Sequence, residues 1–180
     1  DDDGDGITEK IFVHYQVGLF GKWHLGEDGD PVVDYDDAAS GAICSTPTVE
    51  TSTLNPLLHG WDAYIGNLNG AVADFWDWVK VSGDSTGSTD VCTTTTYATT
   101  DTADEAITWI NAQSGRWMAT VSFNAPHTDD NGWSRDHADE GCSTSVANAA
   151  AASTNTIAYQ AMAECMDAKI QGLLDGIPDT

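Results

Sequence analysis

The chain has 180 residues, with 6 basic against 29 acidic side chains and a formal net charge of −23. That length holds one domain of ordinary size, and the charge excludes nucleic acid and disfavours anionic lipid as partners, because phosphates require a basic surface. No run of 18 apolar residues occurs, so no transmembrane helix is predicted, while 41% hydrophobic residues and 17 glycines argue against disorder.

Residues 1–7 read DDDGDGI. Asp1, Asp3 and Asp5 alternate ahead of Gly6 as at the opening of a calcium loop, but position twelve would be Phe12 rather than Glu, which excludes an EF-hand. The segment reads as an acidic linker or a calcium-loop remnant, and 8–180 as one structural unit. Residues 8–16 are a weak helix candidate. Val17 to Phe20 is a short apolar run between glycines and predicts a buried strand end, followed at once by GKWHLG. Residues 26–58 are polar and turn-rich. HGWDAYIG at 59–66 is aromatic-rich; FWDWVK at 75–80 fits either a strand or a short helix; 81–96 reads as a loop and an edge strand.

The first clear helix is predicted over 102–113, with Thr102 and Glu105 at capping-box spacing and Ala103, Ala106, Ile107 and Ile110 on one face. WMATVSF at 117–123 is nearly all apolar and suits the centre of a sheet covered on both faces. It exits through NAPH, where Pro126 stops the strand. After a polar excursion over 128–154, a second helix is predicted over 157–174, with Met162, Met166, Ile170 and Leu173 in one stripe and Gly176 and Pro178 ending it. This order argues α/β layers rather than an all-β fold.

Cys44, Cys92, Cys142 and Cys165 lack CxxC spacing, which speaks against a zinc knuckle and leaves three disulfide pairings open. Chemistry concentrates at two strand exits. Lys22 and His24 follow a predicted buried strand, where open α/β sheets place ligand loops. Alternation puts both on one side if the strand geometry persists, and together they can hold an anion: lysine as a point charge, histidine as donor or acid. The bland alternative is a snorkelling lysine and a loop histidine. His127 closes the second apolar strand, with Asn124 and Pro126 fixing a tight exit. His59 with Asp62 is a weaker metal pair, whose ordinary role is to cap a turn. There is no GxSxG elbow, Walker loop or HExxH helix.

GKWHLG at 21–26 closely resembles the second signature of the sulfatase family. HGWDAYIG at 59–66, YATTDTADEAITWI at 97–110, FNAPH at 123–127 and YQAMAECMDAKIQGLLDGI at 159–177 resemble further blocks of that family, in family order. The resemblance implies an alkaline-phosphatase-like α/β/α sandwich, incomplete in this chain, with 8–180 a partial sulfatase catalytic domain. It implies hydrolysis of a sulfate ester, on a sulfated small molecule or glycan, by a formylglycine hydrate with bound calcium. Lys22 would bind sulfate oxygens, His24 would orient or deprotonate the hydrate, and His127 would contact sulfate and assist the leaving oxygen. The family's Cys-x-Pro-Ser-Arg nucleophile motif is absent, and Cys44 lies after GKWH rather than before it, so it does not match. No metal ligand of the family matches securely; Asp1, Asp3 and Asp5 are weak candidates. The fragment alone is therefore expected to be inactive. A phosphodiesterase or phosphonate hydrolase of the same superfamily, or a non-catalytic extracellular binding module, are the alternatives. A field of this sign repels sulfate at range, so a secreted or periplasmic setting in saline water is expected.

Overall fold

The computed structural model describes residues 14–24, 56–68, 70–72, 74–86, 89–127 and 155–178. Its centre is a mixed five-stranded sheet built from β1 (Gln16–Lys22), β2 (Ala63–Asn67), β3 (Trp78–Asp84), β4 (Thr89–Thr94) and β5 (Trp117–Ser122). The spatial order is β4-β3-β2-β1-β5. β2 and β5 flank β1 in parallel, whereas β3 and β4 complete an antiparallel end. Helices α1 (Ala98–Asn111) and α2 (Asn155–Gly176) complete the described elements, with a short 3-10 turn at Pro56–His59. The fold is α/β, as expected. Among the described residues, no helix is long and apolar enough to cross a membrane.

β1 forms where the apolar run predicts, with Leu19 and Phe20 buried on opposite faces. Leu19 joins Tyr64, Val79, Val81 and Val91, over which Trp23, Leu57, Trp61 and Leu68 close. Phe20 lies toward α1, its ring 5.6 Å from that of Trp109. α1 packs on β1, β2 and β5, and α2 packs on α1. A second core of Val72, Phe75, Trp78, Tyr97, Ala98, Ala125, Met162 and Cys165 fills the space where the helices meet the exits of the strands. The predicted methionine stripe of α2 is thus half core: Met162 is fully buried and Met166 packs at the edge.

Three local expectations are corrected. The weak helix over 8–16 gives way at its C-terminal end to β1, which starts at Gln16; residues 8–13 lie outside the described residues. α1 starts at Ala98, not at Thr102, and its N-cap Tyr97 makes no side-chain cap. Burial overrides the capping-box spacing. Tyr97 is wedged between the rings of Phe75 and Trp76, the Ala98 N–H donates to the Phe75 carbonyl at 2.9 Å, and Thr102 hydroxyl donates one turn back to the Ala98 carbonyl. Finally, β5 is at one end of the described sheet rather than at its centre. It pairs with β1 alone among the described strands and leaves Met118 half exposed.

Glu105, the other half of the expected capping box, instead shares Lys80 of β3 with Asp101: the ammonium lies 2.9 Å from Asp101 and 2.7 Å from Glu105. Burial alone would push the Lys80 pKa down, but the Glu105 and Asp101 carboxylates outweigh it and hold it above its ordinary value of 10.5. Burial raises the Asp101 pKa despite Lys80. Lys80→Met strands two carboxylates beside the core and is expected to cost about 3 kcal/mol at neutral pH. Because the folded pKa of Lys80 is raised, its stabilisation is complete below pH 10.5 and fades as pH climbs through the folded value. The difference in thermal midpoint between wild type and Lys80→Met should therefore be flat from pH 7 to 9 and shrink above 10.5. A difference that ignores alkaline pH would show that the ion pair is not what stabilises this seam.

Candidate functional site

The sheet order makes β1 a switch point. Its parallel neighbours β2 and β5 lie on either side, so all three C-terminal ends open on one edge, the position at which open α/β sheets bind ligands. Lys22 is the last residue of β1 and is in register with Asn67, the last of β2. Ser122, the last residue of β5, is in register with Gly21. His24 follows two residues after Lys22, and His127 five residues after Ser122. The three expected site residues thus leave from adjacent parallel strands at the same edge.

The backbone there is shaped by glycine. Gly21 adopts φ +90°, open to glycine and strained for other residues. Its carbonyl accepts a hydrogen bond from the Tyr64 hydroxyl at 3.1 Å. Opposite it, Gly66 lets the two strands close: a Cβ there would overlap the Gly21 carbonyl oxygen and lie 2.6 Å from the Gly21 nitrogen and carbonyl carbon. Past the strand, the Trp23 N–H donates to the Asn67 carbonyl and the His24 N–H to the Leu68 carbonyl, at 3.0 and 3.2 Å.

His24 itself has φ 45°. The condition for placing Lys22 and His24 on one side by strand alternation is therefore not met, because β1 ends at Lys22 and the chain turns through a left-handed residue. What positions His24 instead is the β2 exit. Its ring lies against Gly70, where an added Cβ would sit 2.6 Å from Cε1 and Nε2. Gly70→Ala is expected to displace the imidazole at a cost under about 1 kcal/mol, since a side chain rather than backbone must yield. A changed His24 ring resonance with a nearly unchanged thermal midpoint checks this; an unmoved resonance would mean that the ring does not rest there.

His127 is exposed, and its N–H donates to the Asn124 carbonyl at 2.9 Å, so the NAPH exit is the tight turn expected; the Ala125–Pro126 peptide is cis. Lys22 is half-buried and has no ion-pair partner among the described residues. Two asparagines lie at the same edge, Asn67 outside any motif and Asn124 expected only to shape the NAPH exit. Asn67 is 1% exposed; its Nδ2 donates to the Ala71 carbonyl at 3.3 Å, while its Oδ1 has no partner among the described residues. Asn124 is 3% exposed, and neither its Nδ2 nor its Oδ1 has a partner among the described residues. Only burial without partners reveals them, and a sequence does not display that.

The His59–Asp62 pair is put to structural use. Asp62 accepts the Val17 N–H at 2.9 Å, and the His59 ring lies 6.0 Å from that of Trp23. Among the described residues no three His, Cys, Asp or Glu side chains group as a metal site. The edge offers an ammonium, two imidazoles and two carboxamides, a set that does not fit a divalent cation such as the calcium that the resemblance implies. Asp1, Asp3 and Asp5 lie outside the described residues, as do Cys44 and Cys142. Cys92 and Cys165 are both disulfide-bonded. Among the described residues, cavities open elsewhere: about 300 Å³ between α1 and α2, and about 440 Å³ at the opposite edge beside Asp62, Asp84 and Asp90. Neither is lined by Lys22, His24 or His127. The strand-exit register is the better guide to chemistry, because it collects one ammonium and two imidazoles at a single edge, whereas the α1–α2 cavity has Lys169 without a histidine and the other has neither.

Several solved structures share this fold. Ps i-CgsB in complex with k-i-k-neocarrahexaose superposes with a TM-score of 0.57 at 16% identity over 91% of this chain and 34% of that one. The yidJ protein from Bacteroides fragilis, ascribed to the sulfatases, superposes with a TM-score of 0.57 at 18% identity over 90% of this chain and 37% of that one. The chain spans about a third of the length of these structures. No curated protein sequence matches it significantly. The sequence profile of the Sulfatase family matches residues 13–179, nearly the whole chain. With that match and the shared fold, the chain belongs to the sulfatase family.

Proposed function

We propose that the chain is the middle of a sulfuric-ester hydrolase domain, in which Lys22, His24 and His127 form the sulfate side of the active site. The observation that carries this is the junction of β1 with β2 and β5, which opens the GKWH and NAPH exits on one edge. Lys22 binds sulfate oxygens and offsets the charge that grows on them as the S–O bond breaks. His24 orients or deprotonates the attacking group, and His127 contacts the sulfate and protonates the departing alcohol oxygen. The attacking group itself has no matching motif in this chain, so the 180 residues alone are expected to bind and not to turn over.

A sulfated glycan is the proposed substrate class, supported by the k-i-k-neocarrahexaose bound to one neighbour of the same fold. The disulfides at Cys92 and Cys165 support an oxidising, secreted or periplasmic location. The net charge of −23 supports saline surroundings, in which a repelled anion can still approach.

The test is to assay the parent protein that contains this segment on matched sulfate and phosphate esters of one alcohol. Sulfate turnover at least about a hundredfold above phosphate is expected. A preference for phosphodiesters would assign the cradle to the phosphoryl-transfer branch. No turnover of either class would favour a binding module.

A further inference from the structure

We propose that Asn124 is a further binding residue of this anion site, its Nδ2 donating a hydrogen bond to an oxygen of the tetrahedral anion. The inference rests on the proposed function and adds a residue to it. An amide buried to 3% exposure with both polar atoms unpartnered is uncommon in a folded chain. Such a group gives up its hydration without recovering a protein hydrogen bond, so it opposes folding unless something else supplies one. Its position indicates what that is. Asn124 lies two residues beyond the Ser122–Gly21 pair, so it leaves the sheet beside the strand that delivers Lys22. Its own carbonyl holds the His127 N–H at 2.9 Å, so the carboxamide and the imidazole are rooted in one turn.

The division of chemistry also fits. An oxyanion presents only acceptors, and at this edge Asn67 commits one of its two Nδ2 hydrogens to the Ala71 carbonyl. The Asn124 Nδ2 has no partner among the described residues and keeps both of its hydrogens to donate. It adds a neutral donor beside the Lys22 charge without adding a second cation. Its Oδ1 remains able to accept from the Lys22 ammonium or from a hydroxyl of the esterified alcohol, so a single carboxamide can orient both halves of a sulfate ester.

The experiment is a titration of the 180-residue protein with inorganic sulfate, at ionic strength held constant with chloride, followed by NMR. The Asn124 side-chain amide resonance is expected to move with the same dissociation constant as the His127 ring. Asn124→Leu, which keeps the branched side-chain skeleton and removes the polar atoms, should raise the thermal midpoint of the free protein and weaken sulfate binding at least about fivefold. Asn124→Asp, which keeps the shape and adds charge, should weaken binding at least about tenfold. Binding that depends on Lys22 but is unchanged in Asn124→Leu overturns this proposal alone. Sulfate binding that is absent, or that survives Lys22→Ala, overturns the proposed site and this residue with it. If either variant fails to fold, the wild-type amide resonance decides: one that stays still while the His127 ring shifts removes Asn124 from the site.

Discussion

Gly66→Ala is expected to abolish the fold or to lower the thermal midpoint by about 10 °C or more, corresponding to roughly 4 kcal/mol at this chain length. The added methyl has nowhere to go. It would overlap the Gly21 carbonyl oxygen and stand 2.6 Å from two further backbone atoms of β1. Backbone cannot swing aside as a side chain does, so the β1–β2 pairing must open, and with it the register that sets Lys22 against Asn67. Gly21→Ala meets a comparable obstacle on the other side of β1, because its Cβ would collide with the Ser122 carbonyl of β5 and the residue would also be held at φ +90°. Thermal unfolding followed by circular dichroism measures both. A Gly66→Ala protein that melts within about 2 °C of wild type would mean that the two strands are not packed this closely.

Lys22→Ala should do the reverse: leave the fold nearly untouched and remove function. Lys22 has no ion-pair partner among the described residues, so its loss is expected to change stability by no more than about 0.5 kcal/mol. In the parent enzyme, kcat on a sulfate ester should fall roughly 10²- to 10³-fold, the effect of removing one preorganised donor from a developing oxyanion. Lys22→Arg should recover only part of this, since a planar fork replaces a point charge. Steady-state kinetics beside a melting curve gives both numbers. Activity within twofold of wild type would remove Lys22 from the reaction.

What could be read from the sequence follows from how local each cause is. The apolar run before GKWH forces a buried strand whatever surrounds it, and the glycine flanks mark where it must turn, so β1 and its exit were legible. The NAPH turn was legible for the same reason, through Pro126. The start of α1 was not, because Ala98 is made helical by the packing of Tyr97 against Phe75 and Trp76, some twenty residues earlier in the chain. The apolar character of β5 was visible, but not its place at one end of the described sheet, which depends on which strands are its neighbours. At the site, the residue types were legible and their geometry was not. His24 was expected to follow strand alternation, whereas a left-handed φ and the bare surface of Gly70 set its ring. Asn67 carries no motif and Asn124 was legible only as a residue of the NAPH turn; as binding groups they stand out only once burial and the lack of partners among the described residues are counted.

The Tyr64 phenol joins two tasks that proteins often keep apart. Its ring is sealed in the core beneath the sheet, and its hydroxyl donates to the carbonyl of Gly21, one residue before Lys22. Substitutions deep in that layer can therefore mis-aim the lysine while the molecule still melts as a normal protein. Screens that rank variants by heat resistance would pass such damage unseen, and distant apolar positions would then be scored as silent although they govern how the anion is gripped.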